Sequence, residues 1–186
     1  VHMIWDSVPW KNDLARFAKA LDKRKAQLRW TQVSSARLEQ EFFFSAFAIR
    51  KLIEAKKLSD EVLKVTIKAN EHKPVGRLVD LMNWHKIDKL YDLERHTTRH
   101  FLLEAYCNQI IHSFIFIPVL QENAEGLMGI YVSSDREKGK GLFYFDLEDI
   151  KKMLEYVASD DIGYGEMFRS SSTNEIMIIH QKRIVE

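Results

Sequence analysis

Apolar residues recur every three or four positions in the first part of the chain and every second position in much of the remainder, with the change falling near residue 113. Leu14, Phe17, Ala18, Leu21, Ala26 and Leu28 predict a helix that starts near Trp10 or Lys11, after Pro9. A second helix is read from ARLEQEFFFSAFAIRKLIEAKK, where Leu38, Phe42, Ala46, Ile49, Leu52 and Ile53 form one stripe. Ser34 or Ser35 is placed to cap it, with Glu39 completing the arrangement. Ser59, Asp60 and Glu61 are able to start a short helix, but the alternation in VLKVTIKA favours a strand within residues 61–73. Beyond it come a turn at 73–76, an irregular stretch over 77–84 and a polar approach over 86–94.

Residues 97–113, TTRHFLLEAYCNQIIHS, read as one helix that is apolar around most of its circumference, the signature of a buried helix. His100, Glu104, Asn108 and His112 recur every fourth residue and, with Thr97, draw a polar ridge along it. After it, FIFIPVL, LMGIYVS and Leu142–Asp146 predict a three-stranded antiparallel meander. Pro118 places the first of these strands at an edge or a bulge. The first two are joined by a turn at 123–126, the last two by the polar loop SDREKGKG. Asp146 or Asp149 then opens a helix through Ile150, Met153, Leu154 and Val157. Residues 160–174 read as a loop, and 175–180 as a short strand able to join the meander. The expected fold is α+β: N-terminal helices and a central buried helix packed on a small antiparallel sheet. One domain is expected over 1–186, helical over about 10–112 and sheet-rich over about 113–186.

Composition narrows the classes of function without choosing among them. At 186 residues, 46% hydrophobic and 30% charged, the chain suits a soluble globular domain. With 28 Lys and Arg against 27 acidic residues, nucleic-acid binding would require a local basic patch. The run Lys23–Arg24–Lys25 reads as a solvated helix face. A single Cys107 excludes an internal disulfide and suits a reducing cytoplasm. No stretch reaches the ~20 apolar residues of a membrane span, and no signal peptide is visible. Residues 1–3 read partly as a cloning remnant, so His2 enters no site.

The candidate chemistry lies in and before the ridge. CNQIIH, residues 107–112, resembles the helix motif of the HEPN superfamily, Arg-polar-x-x-x-His, with Asn108 and His112 at its polar and histidine positions and Cys107 at its arginine position. RHTTRH, residues 95–100, matches the pattern in full through Arg95 and His100. The resemblance implies metal-independent RNA cleavage by a dimer of helical domains. His112, Asn108, His100 and Arg95 are then the candidate catalytic residues. The residue types suit that chemistry: histidine can exchange protons near neutral pH, and arginine can hold a phosphate. Arg99 and Arg50 are further sources of charge, although Arg50, beside Glu41 in an aromatic helix, reads first as an ion pair or surface charge.

Other motifs weigh less. His96, His100 and Glu104 have the spacing of a zinc site on one helix face, to be completed by His85 or His180, but Arg95 and Arg99 would repel the cation. No metal or cofactor is therefore expected. Gly139-Lys140-Gly141 lacks the following helix of a phosphate loop, and Ser170 to Asn174 lack an activating base. Cys107 reads as a packed thiol, and Trp5, Trp10, Trp30 and Trp84 as packing residues that could otherwise stack on bases. The leading expectation is a cytoplasmic RNA-directed or nucleic-acid-associated protein, with a HEPN-like metal-independent ribonuclease as its sharpest form, and with RNA and a second copy or another protein as partners. The competing one is a non-catalytic protein-interaction module whose ridge only specifies packing.

Overall fold

The computed structural model describes residues 4–121, 126–172 and 176–184. In chain order they form α1 (Val8–Lys25), α2 (Gln32–Glu54), the single turn α3 (Asp60–Leu63), β1 (Thr66–His72), the single turn α4 (Ile87–Leu90), β2 (Thr97–Leu102) and α5 (Leu103–Ile111). Then come β3 (Ser113–Leu120), β4 (Leu127–Ser134), β5 (Leu142–Asp146), α6 (Leu147–Ala158), β6 (Ile162–Arg169) and β7 (Ile176–Arg183). The first five strands make one sheet in the order β2-β1-β5-β4-β3, every neighbouring pair antiparallel. The fold is α+β. Among the described residues, no helix is long and apolar enough to cross a membrane.

The longer helices cover one face of the sheet. Ile67, Ala69, Phe101, Phe143, Phe145, Ile130 and Val132 share one core with Leu38, Phe42 and Ile49 of α2, Tyr106 and Ile110 of α5, and Ile150 and Leu154 of α6. Edge-to-face rings join the layers, with centroids 4.9 Å apart for Phe101 and Phe143 and 5.1 Å for Tyr106 and Phe145. On the other face, Ile115 and Leu142 are covered by Val79, Leu90 and Tyr91 from the long connection between β1 and β2. The meander forms as expected, and Pro118 lies on the edge strand β3 beside a bulge at Val119/Leu120, where its missing N–H is tolerated. Asp146 is the cap that opens α6, its Oδ1 accepting from the Glu148 N–H at 2.8 Å.

The central stretch is not one helix. Thr97–Leu102 is an edge strand paired with β1, Lys68 opposite His100 and Ile67 opposite Phe101, and the helix begins only at Leu103. Phe101 is buried while His100 and Leu102 are exposed, the alternation of a strand. The apolar circumference read from the sequence is thus two periods joined end to end. The Thr97-Thr98 pair favours extension, and the β1 ladder satisfies one side of the backbone.

Smaller corrections have local causes. α2 starts earlier, at Gln32, because Thr31 and Ser34 cap each other's backbone N–H, at 3.1 and 2.8 Å. α1 starts at Val8, with Pro9 in its first turn. Ser59 caps α3, so the strand begins only at Thr66. The basic run at 23–25 is partly engaged: Arg24 pairs with Glu41 at 3.3 Å and Lys25 with Glu148 at 2.7 Å. Residues 162–169, expected in a loop, form β6, and β7 pairs with β6 rather than with the meander. Asn123 to Glu125 of the expected turn, Asn174 and Glu175, and residues 1–3 with His2 lie outside the described residues.

A buried polar cluster ties the two ends of this arrangement together. Asp160, with no exposed side-chain surface, accepts from the Ser59 N–H at 2.9 Å and the Ser59 hydroxyl at 2.6 Å. Lys11 of α1 donates to the Asp160 carbonyl at 2.6 Å and stands 3.8 Å from its carboxylate. Burial pushes the Lys11 ammonium below its ordinary 10.5, with Asp160 opposing the shift. The unfolded chain therefore holds that proton more tightly, and the Lys11 contribution to stability improves as pH rises from the depressed value towards 10.5.

Removing one partner of a buried pair strands the other. Asp160→Ala is expected to cost about 3 kcal/mol. That lowers Tm by roughly 6–12 °C for a chain of this size. Asp160→Asn, which keeps the shape and an acceptor, should cost less. Thermal unfolding followed by circular dichroism measures both, and a loss below ~1 kcal/mol for the alanine variant would make the cluster incidental.

Candidate functional site

Three of the four candidate residues meet at one groove. Asn108 lies on α5, His112 caps the C-terminal end of that helix with its side chain exposed, and His100 stands exposed on β2. With Arg50, Arg99 and Arg136 they line a cavity of about 630 Å³ whose one lining carboxylate is Glu137. The ridge of the sequence is therefore open to solvent, although a strand and a helix build it together.

Each arginine is held differently. Arg50 projects from α2 and donates to Glu104 Oε1 at 2.7 Å, to Asn108 Oδ1 at 3.0 Å and to Glu54 Oε1 at 3.2 Å. It is thus both an ion-pair partner, as read first from the sequence, and the arginine that reaches the ridge. Arg99 lies over the rings of Phe101 and Phe143, 4.8 and 5.1 Å from their centroids, which fixes its plane. Its nearest carboxylates, Glu71 and Glu137, are each 3.8 Å away. Arg136 is exposed in the turn after β4 and has no ion-pair partner among the described residues.

Sequence reasoning missed Arg136 and Gln109. Gln109 is buried, and its Oε1 accepts from the Ser134 N–H at 3.0 Å. The Asp135 N–H donates to the His112 carbonyl at 3.0 Å. These two bonds fasten the turn that carries Arg136 and Glu137 against the end of α5. No pattern marks Arg136, because a polar turn has no periodicity to violate. Gln109 carries a faint signal as a polar residue off the Asn108–His112 ridge, next to apolar helix positions.

Arg95 does not join the groove. Its side chain is 89% exposed and pairs with Asp92 at 3.5 Å, while its carbonyl accepts from His72 Nδ1 at 3.2 Å. RHTTRH runs from two irregular residues into β2, so its arginine and histidine do not share a helix face. The same strand separates the residues of the zinc spacing, since four extended residues span about 13 Å. The His96 ring lies instead against His72, with centroids 5.8 Å apart. The side chain of His180 lies outside the described residues, and among the described residues no group of His, Cys, Asp and Glu is disposed to hold a metal.

Cys107 points into the core with no exposed surface, and burial pushes its thiol up. The arginine position of CNQIIH is therefore turned away from the groove. The cations come from α2, β2 and the β4–β5 turn. Trp10, Trp30 and Trp84 pack on the hydrophobic clusters, whereas Trp5 is 98% exposed.

No protein-family model, curated protein or solved structure matches this chain.

The state of Cys107 is directly measurable. A thiolate is the reactive form, and the native site disfavours it. A thiol reagent at mildly alkaline pH should leave the folded protein unlabelled and label it fully in denaturant. Rapid labelling of the folded protein would contradict the buried position.

Proposed function

We propose that the chain is an intracellular RNA-directed protein whose groove at α5 and β2 holds a phosphodiester backbone. The observation that carries this reading is the convergence of Arg50, Arg99, Arg136, His100 and His112 on one open groove, in a chain whose net charge is only +1. Concentrated positive charge on an otherwise balanced surface is the electrostatic footprint of a polyanion site.

The same groups fit a metal-independent ribonuclease of the kind the HEPN-like motif implies. One histidine would take the proton of the 2′-hydroxyl, and the other would supply a proton to the leaving oxygen. The stacked Arg99, and Arg136 with no ion-pair partner among the described residues, would stabilise charge on the phosphate. Asn108, oriented by Arg50, would position the substrate. In this assignment His112 and His100 carry the chemistry, and the arginines replace the cation that Cys107 cannot provide.

A second reading rests on a different surface. Phe44 and Phe47 of α2 are 71% and 47% exposed and border a groove of about 540 Å³ with Trp10 and Phe17. An exposed aromatic patch suits a protein-interaction module, whether for another protein or for a second copy.

RNA cleavage by wild type beside His112→Ala and His100→Ala, with and without EDTA, tests the first reading. Cutting should resist EDTA and fall by about 100-fold or more when the essential histidine is removed. Arg136→Ala should weaken RNA binding several-fold, with a salt slope shallower by about 0.7. A folded wild type that neither binds nor cuts RNA would leave the interaction module in its place.

A further inference from the structure

The groove does not end at His100. That residue also lines a second depression of about 490 Å³, between the start of β1 and α6, with Lys68, Lys152 and Tyr156. The two depressions meet along the β1–β2 ladder. There Lys68 of one faces His100, and Thr66 of one faces Leu102 of the other. Lys68 and Lys152 are exposed and have no ion-pair partners among the described residues. Asp149 is the one carboxylate that lines this part. Tyr156 is 37% exposed, with the Arg183 guanidinium 4.7 Å from its ring centroid.

We infer that the two depressions form one cationic track for a single-stranded polyribonucleotide, running from Arg136 past His100 to Lys68 and Lys152, with Tyr156 as a platform for a base. This rests on the RNA-directed reading of the groove and extends it. Separated cations with no carboxylate partner among the described residues suit successive phosphates. An aromatic ring and the exposed Leu102 beside them suit bases that are not already paired and stacked. A duplex shows its phosphates but hides its base faces, so it could use the cations and not the ring.

The test is fluorescence anisotropy with labelled oligouridylates of roughly 12 and roughly three nucleotides, lengths that span and fall short of typical single-strand sites. The variants are Lys68→Glu with Lys152→Glu, Tyr156→Ala and Arg136→Ala, each checked by its thermal melt. The lysine double variant should weaken the long oligomer about tenfold or more and lower its salt slope by about 1.4, while leaving the short one unchanged. Tyr156→Ala should weaken the long oligomer roughly fivefold or more, and Tyr156→Phe should restore it.

If Arg136→Ala weakens both oligomers and the lysine variant weakens neither or both alike, the track is overturned and the groove stands. Binding of a duplex as tight as that of the long single strand would overturn the single-strand assignment. If wild type binds neither oligomer, the RNA-directed reading falls and the track with it.

Discussion

The pairing of β2 with β1 is the constraint on which the groove depends. An edge strand exposes one row of backbone groups and fixes its side chains to alternate faces. The ladder from Thr66/Leu102 to Glu71/Thr97 therefore decides that Arg99 and Phe101 share one face while His100 leaves from the other, and because β2 is the edge of the sheet both still border the groove. A slip by one residue would reverse every one of these assignments. The helix that begins at Leu103 starts from this fixed point, so Asn108 and His112 inherit their positions from it. The turn after β4 is then pinned to the same helix through Gln109.

Within the groove the positive charges differ in how firmly they are already held. Arg50 makes close contacts with two carboxylates and an amide. Arg99 has its carboxylates at longer range and its plane set by two rings, while Arg136 has no such partner among the described residues. Exposed ion pairs contribute at most about 1 kcal/mol, so on the RNA-directed reading an incoming phosphate would displace the looser carboxylates at small cost. The gradient runs from a cation that shapes the site to one free to receive a ligand. It also explains how a chain of nearly balanced charge can present a locally positive surface.

Much of the architecture was legible because it follows a single period. The meander, the stripe of α2, the Asp146 cap and the α+β class can all be read from side-chain spacing. The error at residues 97–102 arose where two periods abut without a glycine or proline between them, so that Phe101, Leu102 and Leu103 looked like one helical face. β6 was illegible for another reason. Almost all of its positions are exposed, so no alternation of burial marks Gly163 to Arg169. At the groove, His100, Asn108 and His112 came from a helical ridge that exists only in part. They still converge, because the strand hands directly into the helix. Arg95 satisfied a motif in one dimension while the chain carried it elsewhere.

The Lys11–Asp160 contact joins positions 149 residues apart. Its carboxylate also receives the cap of α3, so three distant segments share one buried charge. During synthesis, α1 can coil as soon as it emerges, but its ammonium has no interior counterpart until Asp160 has been made. Closing so long a loop carries an entropic cost before any contact repays it. The nascent chain must therefore keep the apolar side of α1 and α2 waiting while the sheet is assembled, and in that interval it is open to chaperones and to misassociation.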